Sequence, residues 1–345
     1  MTLPIKDGGL GVRRVSENSD HSYEASVTIT KPLTDKIIEQ SKVLPSEEAV
    51  IEAKATGIVR MKEYESQRAT ELKTSLPTET QRKLEQLSQP GASSWLGALP
   101  LESQGFNLTR GEFQDALALR YDKPVKKLPS KCPCNQPFTV THALDCKLGG
   151  FVNARHDSIR DVECSLLKSV VQDVECEPML QPVINRAGYQ KSANLAKEAR
   201  LDVRARGFWR KGQNAYFDVR VTNADCASQA NSSLEKVLEK HETEKKRHYN
   251  RRVMEVEHAT FTPLVFTTTG VMSKECLIFH KALAEKLSTK KNDQYAVIMR
   301  YLRVKFSFLA LKSTLLCLRG SRSIKSSKNI VYNEDFGLAL NELGL

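Results

Sequence analysis

Two β-prone runs, residues 201–205 (LDVRA) and 216–221 (YFDVRV), flank the polar stretch GFWRKGQN, and no other part of the chain restricts its fold as strongly. Strand-favouring residues on both sides of a glycine-bearing turn predict an antiparallel hairpin. Side chains alternate between faces along a strand, so the pairing register decides where Asp202 and Asp218 point. Two carboxylates on adjacent strands, with a basic residue (Arg220) two positions after the second, can hold Mg²⁺ against a phosphodiester. The competing reading is a pair of solvated strand aspartates, and the surroundings must decide between the two.

The segments around the hairpin predict a mixed α/β domain. Residues 153–174 read as an amphipathic helix, with Ile159, Val162, Leu166, Leu167 and Val170 at helical spacing. After the hairpin (199–223) come a charged helix over 234–257, a strand over 261–270 that ends at glycine, and helical pieces over 273–288 and 294–318. Ahead of this domain, residues 1–30 combine a GG turn with the β-rich SVTITK and predict a boundary loop. Residues 33–87 are helix-favouring with breaks at Pro45 and Pro77, and predict two or three exposed helices. QPGASS (89–94) reads as a linker, 109–120 as a helix and 131–150 as a Cys/His-bearing loop. The expected organisation is a helical arm and linker at 1–95, a helical connector with the Cys/His loop at 96–150, the α/β domain at 151–320 and a basic tail at 321–345.

That Cys/His loop carries Cys132, Cys134, His142 and Cys146 as C-P-C-x7-H-x3-C. Tetrahedral Zn²⁺ takes four such ligands, and a local knuckle is a common way to supply them. Four protein ligands leave no open coordination position, so the expected role of zinc is in folding. Unmetallated thiols are the alternative. Cys164, Cys176, Cys226, Cys276 and Cys317 show no clustering and are expected as buried small apolar residues.

The balance of 52 basic against 41 acidic residues gives a formal charge of +11, which favours a polyanionic partner, nucleic acid before membrane. From Gln294 to Asn333 there is no Asp or Glu, while Arg300, Arg303, Lys305, Lys312, Arg319, Arg322, Lys325 and Lys328 all fall inside. This stretch is either a solvated helix face or an electrostatic footprint for a phosphate backbone. Its apolar portion, FSFLALKSTLLCL (306–318), is short, interrupted by Lys312 and reads as a core helix, not a membrane span. Residues 1–11 lack an apolar signal core, so an intracellular location is expected, with the nucleus compatible, and thiols are favoured over disulfides. His156, in NARHDSIRD, can touch a phosphate or a metal-bound water, or simply cap a helix. Lys240, Lys245, Lys246 and Tyr249 lie on the charged helix among Glu235, Glu239, Glu242 and Glu244, where salt-bridged surface residues are the simpler reading.

Taken in order, the knuckle, Arg155-His156-Asp157, Arg200-Leu201-Asp202, Phe217-Asp218-Val219-Arg220-Val221, Lys245 and Tyr249 resemble the C-terminal part of non-long-terminal-repeat retrotransposon proteins. Those proteins carry a restriction-endonuclease-like domain after a Cys/His knuckle. LPIKDGGLG also looks like the run that follows the polymerase palm there, and the whole chain is similar to uncharacterised invertebrate proteins reading CPC…HALDCKLGGF and EHATFTPLVFTTTG. The resemblance implies a PD-(D/E)XK-type core in which Asp202 and Asp218 hold catalytic Mg²⁺, and a DNA partner gripped by the knuckle and the basic stretch. The family's lysine two residues after the second acid is Arg220 here, and arginine stays protonated and cannot act as a base. The resemblance therefore leaves two expectations. Either Lys245 or Lys240 supplies the missing function in a strand-nicking enzyme, or the chain is an inactive nucleic-acid-binding protein that keeps the nuclease fold. A protein–protein adaptor built on the arm at 33–87 is a third, weaker reading. No polymerase palm motif is apparent.

Overall fold

A computed structural model describes residues 2–12, 15–184, 188–226, 228–229 and 231–322. Most of the expected basic tail, with Lys325 and Lys328, lies outside the described residues. The chain forms two units, Met1–Ser88 and Gln89–Leu345, and the division falls at the start of the QPGASS linker.

The first unit is a helical arm of α1 (Val15–Ile38), α2 (Glu47–Ser75) and α3 (Thr78–Ser88). The β-rich SVTITK, expected in a boundary loop, lies inside α1. Its threonines explain the difference, because Thr28 and Thr30 return their hydroxyls to the carbonyls of Glu24 and Ser26 at 2.8 and 2.9 Å. That back-bonding, together with packing on α2, overrides a modest strand propensity. Gly57 makes the packing possible. A Cβ there would stand 2.5 Å from Ile29 Cγ1, so α1 and α2 approach where no side chain intervenes.

The second unit holds a four-stranded mixed sheet in the order β1 (Val174–Cys176), β2 (Val203–Arg206), β3 (Asn214–Thr222) and β4 (Thr260–Thr267). The first three strands are antiparallel in sequence, and β4 runs parallel to β3. A parallel neighbour requires a crossover, which is supplied by α7 (Leu234–Glu255). One face of the sheet buries Val203, Phe217, Val219, Leu264 and Phe266 against α6 (Phe151–Lys168), α8 (Lys274–Lys291) and α9 (Tyr295–Arg319). The other face meets α7 through Tyr216, Phe261 and Val265.

Helix α9 is the hub of this unit. Its 306–318 segment is the expected core helix, and α9 also packs with Trp95, Phe106 and Ala116 of α4 (Arg110–Arg120) through Val304 and Phe308, and with the knuckle through Leu318. Among the described residues, no helix is long and apolar enough to cross a membrane.

Two expectations fail locally. The helix predicted over 153–174 stops at Lys168, and the chain turns at Ser169 into the edge strand β1. That reversal brings Cys164 and Cys176 to a Cα separation of 6.2 Å, and they form a disulfide instead of two buried thiols. Cys176 lies on the exposed edge and Cys226 in a half-buried turn, whereas Cys276 and Cys317 are buried as expected.

Candidate functional site

The hairpin register decides the geometry of the acidic pair. Val203, the first residue of β2, pairs with Phe217; Asp202 stands just before the strand, and its carboxylate takes the Val219 N–H next to Asp218. Both aspartates are buried, with 9% and 5% of their surface exposed.

Each carboxylate has its own cation. Asp202 Oδ2 accepts the Val219 N–H at 2.6 Å and lies 3.2 Å from His156 Nε2, which also sits 3.2 Å from the Val219 carbonyl. Asp157 Oδ1 holds the other ring nitrogen at 3.2 Å. Burial works against a charge on His156, but the Asp202 and Asp157 carboxylates outweigh it and lift the imidazole to about 9. Burial likewise works against ionised Asp202, and the His156 contact and the Val219 N–H hold it below the usual carboxylate range. Asp218 pairs with Lys245 Nζ from α7. Burial lifts Asp218 to about 6; the Lys245 charge opposes that shift and the Asp202 charge adds to it. The cluster thus presents two carboxylates, an imidazolium and an ammonium. A divalent cation here would compete with His156 and Lys245 for the same oxygens, and a phosphate would be drawn to those same two cations.

Helical phase separates the two lysines proposed for the missing function. Lys245 reaches Asp218, while Lys240, five residues earlier and therefore roughly 140° around the helix, is exposed. Tyr249 lies beneath Lys245, with the ring centroid 5.8 Å from Nζ, and its hydroxyl accepts from Asn194 at 3.1 Å. Arg220 shares the Asp218 face of β3 but is turned to Glu244 at 3.1 Å. Glu244 in turn touches His241 Nδ1 at 3.4 Å, and His241 Nε2 lies 3.0 Å from the Thr222 hydroxyl. On sequence alone, Glu244 falls among the salt-bridging residues of the charged helix, and neither His241 nor its link to Glu244 is singled out. Their i,i+3 spacing on a helix that immediately precedes Lys245 was the available signal.

The knuckle is assembled by two small turns. Cys132 N–H donates to the Gln136 carbonyl at 2.9 Å, and Asn135 adopts φ 67° to close the loop. His142 and Cys146 come from α5 (Val140–Asp145) and its C-terminal cap, with the helix started by the Thr139 hydroxyl. The four ligand atoms lie within 4.8 Å of one another. Two sulfur–sulfur distances, Cys132–Cys146 at 3.8 Å and Cys134–Cys146 at 3.9 Å, match the edge of about 3.8 Å expected for zinc–sulfur bonds of about 2.3 Å at tetrahedral angles. Cys134 Sγ to His142 Nε2, at 3.3 Å, is slightly tighter than that geometry needs. The Gln136 backbone N–H lowers the Cys134 thiol, and burial raises Cys132. This Cys₃His cluster can hold a metal ion.

The basic stretch mostly serves the fold. Arg319 grips Asp115 with two bonds of 2.6 and 2.7 Å and donates to the carbonyls of Lys126 and Lys127. Arg322 donates to the carbonyls of Ala143 and Cys317 and stacks on Phe138 and Phe151, at 5.0 Å each. Burial lowers Lys305 and Lys312, and Arg303 is half-buried. Arg300, by contrast, is exposed and, among the described residues, takes no part in these contacts. No protein-family model and no curated protein matches this chain.

Proposed function

We propose that the chain is a Mg²⁺-dependent DNA endonuclease, derived from a retrotransposon-type element, that nicks one strand with a restriction-endonuclease-like core. The observation that supports this reading is the placement of Asp202, just before β2, and Asp218, in β3, where the Asp202 carboxylate takes the N–H of Val219, with His156 and Lys245 beside the two acids. Bound Mg²⁺ would supply Lewis-acid stabilisation of the phosphate during hydrolysis. Asp202 and Asp218 would hold it, and Lys245 would stabilise the charge that grows on the phosphoryl oxygens as water attacks in line and the phosphorus–oxygen bond breaks. His156 would keep Asp202 ionised and oriented. The Cys₃His cluster would carry structural zinc, and the location would be intracellular, with the nucleus compatible.

One observation favours the second reading, an inactive nucleic-acid-binding protein. Arg220 stands where the family pattern has a lysine, and it is committed to Glu244. A plasmid-nicking assay separates the two. Wild-type protein with Mg²⁺ or Mn²⁺ should convert supercoiled DNA to open circles, and Asp218→Asn should abolish this by about 10²-fold or more while leaving DNA affinity unchanged. Supercoiled DNA left intact by wild-type protein with both metals, across several sequences, would establish the inactive reading.

A further inference from the structure

We infer that the outward face of α1 is a self-association surface, on which the α1 of a second copy of this chain packs antiparallel. The inference concerns the helical arm and does not rest on the endonuclease reading.

Helix α1 has two distinct faces. Asn18, Ala25 and Ile29 turn toward α2: Ala25 is buried, Ile29 lies against Gly57, and Asn18 accepts from Arg68 at 2.8 Å. The other face carries Val15, Tyr23, Val27, Leu33, Ile37 and Ile38, with 45% to 83% of their surface exposed. At 100° per residue these six fall within an arc of about 140°, turned away from the α2 contacts. The threonines among them add no unpaired donor. Thr30 and Thr34 return their hydroxyls to the Ser26 and Thr30 carbonyls at 2.9 and 3.1 Å. Exposed apolar residues are ordinarily scattered, and an aligned stripe marks a contact surface. The six expose on the order of 700 Å², close to the roughly 800 Å² that each partner contributes to a standard interface.

The chemistry of the face points to protein, and its pattern to a second copy. The arm does not carry the positive excess of the chain, since residues 1–88 hold 13 basic and 14 acidic side chains. A phosphate backbone would gain little there. An inverted copy of α1, by contrast, is complementary to α1 itself. A two-fold axis between Ser26 and Val27 sets Tyr23 opposite Thr30, Ile37 opposite Ser16 and Ile38 opposite Val15, so bulky side chains meet small or matching ones. Ser26 and Val27 are small enough to let the two helices approach at the axis. The same register places Lys31 between Asp20 and Glu24 of the second copy, beside the stripe, and all three residues are exposed. A parallel copy would set Lys31 against Lys31, so the charges select the inverted arrangement.

The test is sedimentation equilibrium of the full chain from about 1 to about 100 µM, without DNA or Mg²⁺. Wild type should reach twice the mass of one chain at the upper concentrations. Y23E/I37E should weaken dimerisation by roughly 100-fold or more, and its circular dichroism should match wild type because both residues are exposed. I278E, which charges a residue of α8 that is 49% exposed, should leave the dimer intact. K31E sets acid against acid on both sides of the axis and should weaken the dimer by roughly tenfold, as should D20K/E24K, and an equimolar mixture of the two should recover it. A wild type that stays monomeric at the highest concentration overturns the inference and leaves the face to a different protein. A dimer that Y23E/I37E does not weaken overturns it as well, and one that K31E leaves unchanged overturns the antiparallel arrangement. None of these results bears on the nicking assay, which decides the endonuclease reading separately.

Discussion

The knuckle and the aspartate pair belong to the same unit and use the same kind of chemistry, yet they satisfy their donor atoms in opposite ways. The knuckle draws four ligands from fifteen consecutive residues, and its donors face one another with no cation from the protein between them. The aspartates stand sixteen positions apart in sequence and meet only through strand register, and each is balanced by a side chain from a different helix. A cluster whose donors face inward makes an ion part of the local fold. A carboxylate pair already neutralised by His156 and Lys245 leaves the sheet stable without one and makes metal binding conditional. The energetic demand for metal should therefore fall on the knuckle and the functional demand on the acids.

The largest expected effect breaks that contrast at the knuckle. Cys146→Ser should reduce bound zinc from one ion per chain to none and cost on the order of several kcal/mol, because site formation and local folding are coupled. Elemental analysis and thermal melting check this. A variant that keeps its melting temperature after losing zinc would mean that the cluster is not structural. At the acids the effect should be large on rate and small on stability. Lys245→Ala should slow nicking by roughly 10²-fold, while Lys240→Ala should stay within about twofold. Equal losses in the two would show that helical phase is not what selects the lysine. The smallest effect is in pH dependence. His156 titrates at about 9 in the fold against 6.5 ordinarily, so its contribution is present in full below 6.5 and is lost as pH rises through 9. The ring is 31% exposed, so that contribution is discounted to about 1–2 kcal/mol. Urea midpoints at pH 7 and 9.5 should fall further for wild type than for His156→Gln, and parallel declines would remove the pair from the stability balance.

How much of each region was legible in the sequence follows the same division. Cys132, Cys134, His142 and Cys146 could be read together because short loops bring near neighbours into contact. The hairpin and the 306–318 core helix were legible because alternation and apolar runs are local signals. Arg319 and Arg322 read as free charge in a segment without acids, since their partners, Asp115 and the Ala143 carbonyl, lie far back in the chain. The same distance hid the Lys245–Asp218 pair as a specific contact, and Arg220 could not be seen to turn toward Glu244. The Cys164–Cys176 bridge depends on a chain reversal at Ser169 for which helical periodicity gives no sign.

The parallel pairing of β3 with β4 has a consequence for which changes of length the protein could absorb. Asp202 and Asp218 are joined by a hairpin loop, so residues added at the tip near Gly212 leave the two acids where they are. Lys245 arrives by way of the α7 crossover instead. One residue inserted between Ser233 and Lys245 would swing the ammonium by about 100° and carry it about 1.5 Å along the axis, out of reach of Asp218. The distance between the acids in the sequence is therefore a free parameter, while the count of residues from the start of α7 to its lysine is not.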